Sequence, residues 1–212
     1  MICIADQFED VLQKAISGLG LTLESLAKTT DIKEEYIEAT LQGKVDEICL
    51  RALAPKLGLS ADKLIDMAHR RWQPNIELPK SVALFNTPFS VPGYEATTVN
   101  SYLIWSGRSA AAFDTGIHAH TLLAEIEHRG LELNSLYITH THHDHIAALP
   151  KILAAHPKCI LYCPKEESLP GAFTLSAGDC LNLETLKIQA LQTSGHSPGA
   201  LSYIVSDDEL RI

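Results

Sequence analysis

The spacing of apolar positions changes character once along the chain. From about residue 6 to residue 71 they recur at three- and four-residue intervals with no strand-like alternation, which predicts helices. The first helix covers residues 6–17, with Gly18 as a left-handed stop. Thr22 caps a second, in which Ser25 takes the place of the Glu of a capping box and Leu23, Leu26 and Ala27 face inward. Asp31 caps a third that carries Tyr36, Ile37 and Leu41 and ends before Gly43. A fourth spans residues 46–57 before Gly58, and Ser60 opens a fifth that reaches Arg71. Residues 73–80 hold two prolines and no period, which reads as a linker between a helical domain at 1–72 and a second domain at 81–212. In the second domain short apolar runs take over. Residues 82–85, 99–105, 110–113, 136–139, 181–192 and 201–205 read as strands, and 119–129 and 146–155 as helices. Strands first and then a mixture predict a layered α/β domain.

With 212 residues, 46% of them hydrophobic, the chain can bury a sizeable core. A formal net charge of -9 argues against general nucleic-acid or membrane-surface binding, because a polyanion repels it, and favours a small-molecule substrate. The N-terminus has neither a basic flank nor a sustained apolar run, so no signal peptide or membrane span is expected and the protein is placed in the cytoplasm. Cys3, Cys49, Cys159, Cys163 and Cys180 are an odd, scattered set, read as free thiols rather than a disulfide framework. Cys159 and Cys163 flank a short strand that ends at a proline, where packed thiols are expected rather than metal ligands.

The chemistry concentrates in Leu136-Tyr-Ile-Thr-His-Thr-His-His-Asp-His-Ile, where an apolar strand runs into a cluster of His and Asp ahead of a helix. In an extended chain residues two apart point the same way, so His140 and His142 can present imidazoles to one ion. Asp144 and His145 follow where the chain turns into the helix and can face a second position. His143 lies between them and is expected in solvent. His118 and His120 are placed at the mouth of the site, and His69, His128 and His156 on helix surfaces or ends.

His-x-His-x-Asp-His after a strand resembles the metallo-β-lactamase superfamily, and three companions agree in order: Asn100-Ser-Tyr-Leu-Ile, Phe113-Asp-Thr-Gly, and Ser194-Gly-His-Ser-Pro-Gly. The resemblance implies an αββα sandwich, of which residues 80–212 would be the first part. It implies one metal held by His140, His142 and His196, and another by Asp144, His145 and further ligands. Asp114 would orient a ligand histidine from behind. The implied cofactors are two divalent ions, zinc by default, with iron or manganese also suited to these ligands. Hydroxide generated on the metal would attack an activated ester, with Asp144 orienting it. Within that superfamily the motifs, with the Ser194-Gly-His-Ser-Pro-Gly turn and the intracellular setting, most resemble glyoxalase II, which implies a hydrolase acting on a thioester such as a glutathione conjugate. The family's bridging Asp and last His are expected beyond Ile212, and the second layer of the sandwich is expected to be lacking.

Residues 21–28, 32–44 and 53–64 resemble the lambda-repressor-like helix-turn-helix family, whose third helix enters the DNA major groove. Here that helix carries Glu34, Glu35 and Glu38, which would repel phosphate. DNA is therefore not the expected partner, and packing within the chain or in a homodimer is preferred. Two alternatives stay open: a DNA-binding regulator whose second domain senses a ligand, and a mono-iron persulfide dioxygenase-like enzyme.

Overall fold

The computed structural model describes residues 6–72, 77–89 and 97–207. The chain forms two compact units, Met1–Glu77 with Ser194–Pro198, and Leu78–Thr193 with Gly199–Ile212. The predicted linker lies partly outside the described residues, at 73–76, as does Cys3. Among the described residues no helix is long and apolar enough to cross a membrane.

The first unit contains helices α1 (Phe8–Gly18), α2 (Leu23–Thr30), α3 (Glu34–Leu41), α4 (Glu47–Lys56) and α5 (Ala61–Ala68). Their apolar stripes meet in a core built on Leu12, Leu26, Ile37, Leu50 and Leu53, all fully buried. The Thr22 cap is formed as expected: Ser25 N donates to Thr22 Oγ1 at 3.1 Å and Thr22 N to Ser25 Oγ at 3.0 Å. Three helix ends differ from expectation. Gly18 stays helical, and the left-handed turn falls on Gly20 at φ 63°. Asp31 does not open α3 but closes α2 in the left-handed region at φ 58°, a conformation its short polar side chain tolerates. The fifth helix stops at Ala68 because Arg70 turns left-handed at φ 57°, an end that no glycine announces. Glu34 and Glu35 sit in the first turn of α3, where the helix dipole favours carboxylates, and both are exposed with Glu38.

The second unit is built on a six-stranded sheet in the order β1 (Val82–Pro88), β2 (Thr98–Ser106), β3 (Ser109–Phe113), β4 (Glu132–Tyr137), β5 (Ile160–Pro164), β6 (Phe173–Leu175). The first three pair antiparallel as a meander, and β3 to β6 are parallel. The parallel strands need crossovers, supplied by α6 (His120–Arg129) between β3 and β4 and by α7 (His143–Ile146) and α8 (Leu149–Ala155) between β4 and β5. The helix expected at 146–155 is thus two pieces, with Pro150 in the first turn of the second, where a missing N–H costs nothing.

Alternation along the strands divides the buried residues between two cores. Leu103, Ala110, Ala112, Leu136 and Ile138 join Leu122 and Ile126 of α6 and Ile152 of α8. Ile104, Ala111, Phe113 and Tyr137 point the other way and meet Leu183, Leu186, Ile188, Leu201 and Val205. Those last residues belong to a second, three-stranded antiparallel sheet of β7 (Cys180–Leu183), β8 (Leu186–Gln192) and β9 (Leu201–Ser206). The expectation of a missing second layer is therefore corrected: these strands cover the far face of the first sheet. The error came from reading residues 181–192 as one strand. Glu184, left-handed at φ 51°, instead reverses the chain between paired Leu183 and Leu186, a turn without the usual Gly or Asn signal.

One turn fixes the ground on which the histidines stand. After β3, Asp114 takes φ 56° and Gly116 φ 65°. A Cβ on Gly116 would lie 2.8 Å from Thr87 Oγ1, whereas one on Gly130, at φ 62°, would meet nothing within 4 Å. Gly130→Ala should therefore cost about 1–2 kcal/mol, the left-handed backbone penalty alone. Gly116→Ala should cost distinctly more in the same urea denaturation series; equal costs would mean that Thr87 yields freely.

Candidate metal centre

The His-rich segment begins where β4 ends. Ile138 N still donates to Tyr162 O at 2.9 Å, so the chain stays extended into Thr139 and His140. His140 is buried and His142, which precedes α7, is exposed. The single turn of α7, closed by His145 N donating to His142 O at 2.9 Å, brings His145 back over His140. The ring centroids of His140 lie 4.6 Å from those of His142 and 4.0 Å from those of His145.

His196 arrives from the turn between β8 and β9. Thr193 N donates to Ala200 O at 3.0 Å across the base of that turn, and Leu201 N donates to Thr139 O at 2.9 Å, which seats β9 beside the His-bearing segment. Ligand nitrogens of His140, His142 and His196 all lie within 4.8 Å of one another. Around a tetrahedral ion, imidazole nitrogens at about 2.0–2.1 Å from the metal stand roughly 3.3 Å apart, so the three rings converge within reach of one ion. Three imidazoles beside a carboxylate make a donor set suited to a divalent metal ion. Among the expected ligands, Asp144 and His145 form a pair alongside, with His145 Nε2 3.3 Å from Asp144 Oδ2. His143 is exposed. The rings of His118 and His120 stand 6.0 Å apart and take no part in the three-histidine group.

Beneath the histidines lies Asp114, 4% exposed. Its Oδ1 accepts from Thr139 N at 2.8 Å, and its Oδ2 accepts from Thr139 Oγ1 at 2.7 Å and pairs with His145 Nδ1 at 2.8 Å. Thr139 Oγ1 also lies 3.0 Å from His140 Nδ1. A hydroxyl has one proton to give. Because Thr139 gives it to the carboxylate, His140 Nδ1–H must be the donor in that contact, which places the lone pair of His140 on Nε2. Asp114 thus sets two rings at once, His145 directly and His140 through Thr139.

Burial of His145 opposes its charge, but the hydrogen bonds and charges of Asp114 and Asp144 more than offset that and raise its pKa to about 9. Burial of Asp144 opposes its own charge as well, yet the bond to His145 and the nearby His145 and His140 leave its pKa lowered. The ring is therefore an imidazolium at neutral pH, and its proton has to leave before Nε2 can serve as a ligand. Cys159 and Cys163 take no part in such chemistry: burial raises both thiols, Cys159 to about 12.

Three contributors had no role assigned to them from the sequence, although two of them lie inside its motifs. Thr139 relays Asp114 to His140. Thr115 donates from its N to His145 O at 2.9 Å and accepts from Ala148 N at 3.2 Å, fixing the far end of α7. Glu167, in a 3-10 turn (Lys165–Glu167), reaches back to Thr141 N at 2.8 Å. A threonine before a histidine and a glutamate 26 residues downstream are too common to be singled out without coordinates.

Comparison with known proteins bears on the same segment. The family model described as the metallo-beta-lactamase superfamily matches residues 94–209. A hydroxyacylglutathione hydrolase of Aliivibrio salmonicida is 30% identical over 126 residues, 57% of this chain and 47% of that protein. One from Xanthomonas euvesicatoria is 28% identical over 116 residues, 54% of this chain and 45% of that protein. The chain thus spans less than half the length of these curated relatives. Among solved structures, MEM-A1, a subclass B3 metallo-beta-lactamase from a soil metagenome library, superposes with a TM-score of 0.50 at 14% identity, covering 62% of this chain and 57% of that one; the likeness is one of fold.

The bonds around Asp114 generate a stability prediction. Asp114→Ala strands the Thr139 donors and the His145 cation, and should cost about 3 kcal/mol in the metal-free protein. Asp114→Asn keeps an acceptor for Thr139 N and should cost less. Urea denaturation measures both, and wild-type stability in the alanine variant would mean that the carboxylate does not hold this turn.

Proposed function

Since the chain belongs to the metallo-beta-lactamase superfamily, we propose that it is a metal-dependent hydrolase of the glyoxalase II type, acting on a thioester such as a glutathione conjugate. The observation that carries the reading is the convergence of His140, His142 and His196 at the end of β4, in a chain related to curated hydroxyacylglutathione hydrolases. On this reading those three residues hold one divalent ion, zinc being the default for imidazole ligands, and Asp144 and His145 contribute to a second.

A divalent ion held there by His140, His142 and His196 would supply Lewis acidity, activating water near neutral pH and polarising a thioester carbonyl. The chain's own residues do the positioning. Asp114 and Thr139 keep His140 in the tautomer whose lone pair is on Nε2. On this reading Asp144, whose lowered pKa keeps it ionised at neutral pH, would orient the attacking oxygen as well as bind. No serine or cysteine nucleophile is required, which agrees with the raised thiols of Cys159 and Cys163.

The reading is tested on the 212-residue chain beside a His142→Ala, His196→Ala double variant. Plasma mass spectrometry should find about one zinc, iron or manganese per chain in the first and almost none in the second. Release of free thiol from S-lactoylglutathione should follow metal content and vanish with chelator. A chain that loads metal yet releases no thiol would show that these 212 residues do not by themselves hydrolyse this thioester, and equal metal in both proteins would exclude the three-histidine site.

A further inference from the structure

Glu167 belongs to no motif and lies on neither ligand-bearing segment, yet it touches both. Its Oε2 accepts from Thr141 N at 2.8 Å and from Thr141 Oγ1 at 3.0 Å, and Thr141 is the residue between His140 and His142. Its Oε1 accepts from Gly199 N at 3.0 Å, three residues after His196. One carboxylate therefore spans the two places in the chain from which the three histidines come.

The fit is close on the side of the turn. A Cβ on Gly199 would lie 2.9 Å from Glu166 Cβ, 2.9 Å from Glu167 Cγ and 3.0 Å from Glu167 Oε1. The first of these atoms is anchored directly to backbone and cannot swing away, so the glycine is what lets the turn come close enough for the Gly199 N bond. A second link, Leu201 N to Thr139 O at 2.9 Å, already seats β9 against the strand end. That bond holds the start of β9, and Glu167 holds the chain two residues earlier, at Gly199.

We infer that Glu167 is a positioning residue for the metal centre: a carboxylate clasp that fixes the separation of the His140-Thr141-His142 segment and the His196 turn, with Gly199 as its required counterpart. The inference rests on the metal reading proposed above. Its chemistry explains the residue type. Three donors converge on the side chain, so two acceptor oxygens without protons are needed. Gln would turn an NH2 group toward one of them, and Asp would be a methylene too short to span both.

The probe is cobalt(II), whose visible absorption reports the number and arrangement of its ligands. The full chain is compared with Glu167→Gln, Gly199→Ala, the two combined, and Glu166→Gln as a control on the neighbouring exposed side chain. Partners that orient metal ligands are worth about 10–100-fold in affinity. Glu167→Gln should therefore weaken cobalt binding about tenfold and alter the spectrum of the bound ion. Gly199→Ala should do the same, the pair together should fall short of the product of the two effects because both break one clasp, and Glu166→Gln should change nothing. In the metal-free protein, the amide resonances of Thr141 and Gly199 should both move in Glu167→Gln while the melting midpoint stays put.

Unchanged cobalt affinity and spectrum in Glu167→Gln, with wild type loading normally, would overturn the clasp and leave the metal reading intact. A fall in the metal-free melting midpoint large enough to account for the lost affinity would make Glu167 a structural brace and also overturn it. A wild type that takes up no cobalt would overturn the metal reading itself, and the clasp with it, even if both amide resonances move.

Discussion

The candidate centre depends on a buried carboxylate in a strained turn. Asp114 adopts φ 56° at the end of β3, a region that costs a non-glycine residue about 1–2 kcal/mol, and it is held there by its N donating to Tyr137 O at 2.8 Å. What the strain obtains is direction. From that position one side chain reaches the backbone of Thr139, its hydroxyl and the ring of His145. Two parallel strands, β3 and β4, are thereby locked at the ends beside which His140 and His145 stand. Gly116, which leaves room for Thr87, and Thr115, which anchors α7, serve the same turn.

The sheet that carries this turn is secured from both faces. Leu136 and Ile138 pack toward α6 and α8, while Tyr137 between them points to the second sheet. There the Tyr137 ring stacks on Phe113 at 5.1 Å and on Tyr162 at 5.0 Å, and Tyr203 of β9 meets it at 5.3 Å. The Tyr203 hydroxyl donates to Ile138 O at 2.9 Å, satisfying a carbonyl just ahead of Thr139. Burial raises that phenol, so it stays a donor at any ordinary pH. The strand bearing His140 is thus packed on one side, stacked on the other and hydrogen-bonded at its end, which limits how far the ring can wander from its partners.

How much of this was legible in the sequence follows from the range of each interaction. The strands before His140 declare themselves by alternation, and the His and Asp cluster by density, because both are properties of a few adjacent residues. Thr22 with Ser25 was readable for the same reason. The Glu184 reversal was not, because nothing in its type demands a left-handed backbone; only the pairing of Leu183 with Leu186, enforced by burial against the first sheet, selects it. Asp31 and Arg70 at helix ends are the same kind of case. The convergence of His196 with His140 across 55 intervening positions was inferred from resemblance, since no local pattern encodes it. Glu167 was invisible because its role depends on two segments that meet only after the sheets have packed.

The electrostatics of the cluster have a consistent sense. Asp114 and Asp144 both face His145, and together they lift its pKa from 6.5 to about 9. A raised folded-state pKa contributes stability that is fully present below about pH 6.5 and is lost as pH rises through about 9, so near neutrality the metal-free chain is stabilised by a proton on this ring. The same two carboxylates would favour any other cation on His145 Nε2, because the field does not distinguish a proton from a metal by sign. Uptake of a metal there would then displace a proton that the fold already holds, and the affinity of that position should rise with pH as the competition fades. Asp114 reaches His140 as well, through Thr139 Oγ1, which lies 2.7 Å from Asp114 Oδ2 and 3.0 Å from His140 Nδ1. Within one cluster, then, a single buried carboxylate meets one ring directly and the other through the Thr139 hydroxyl, in both cases at Nδ1.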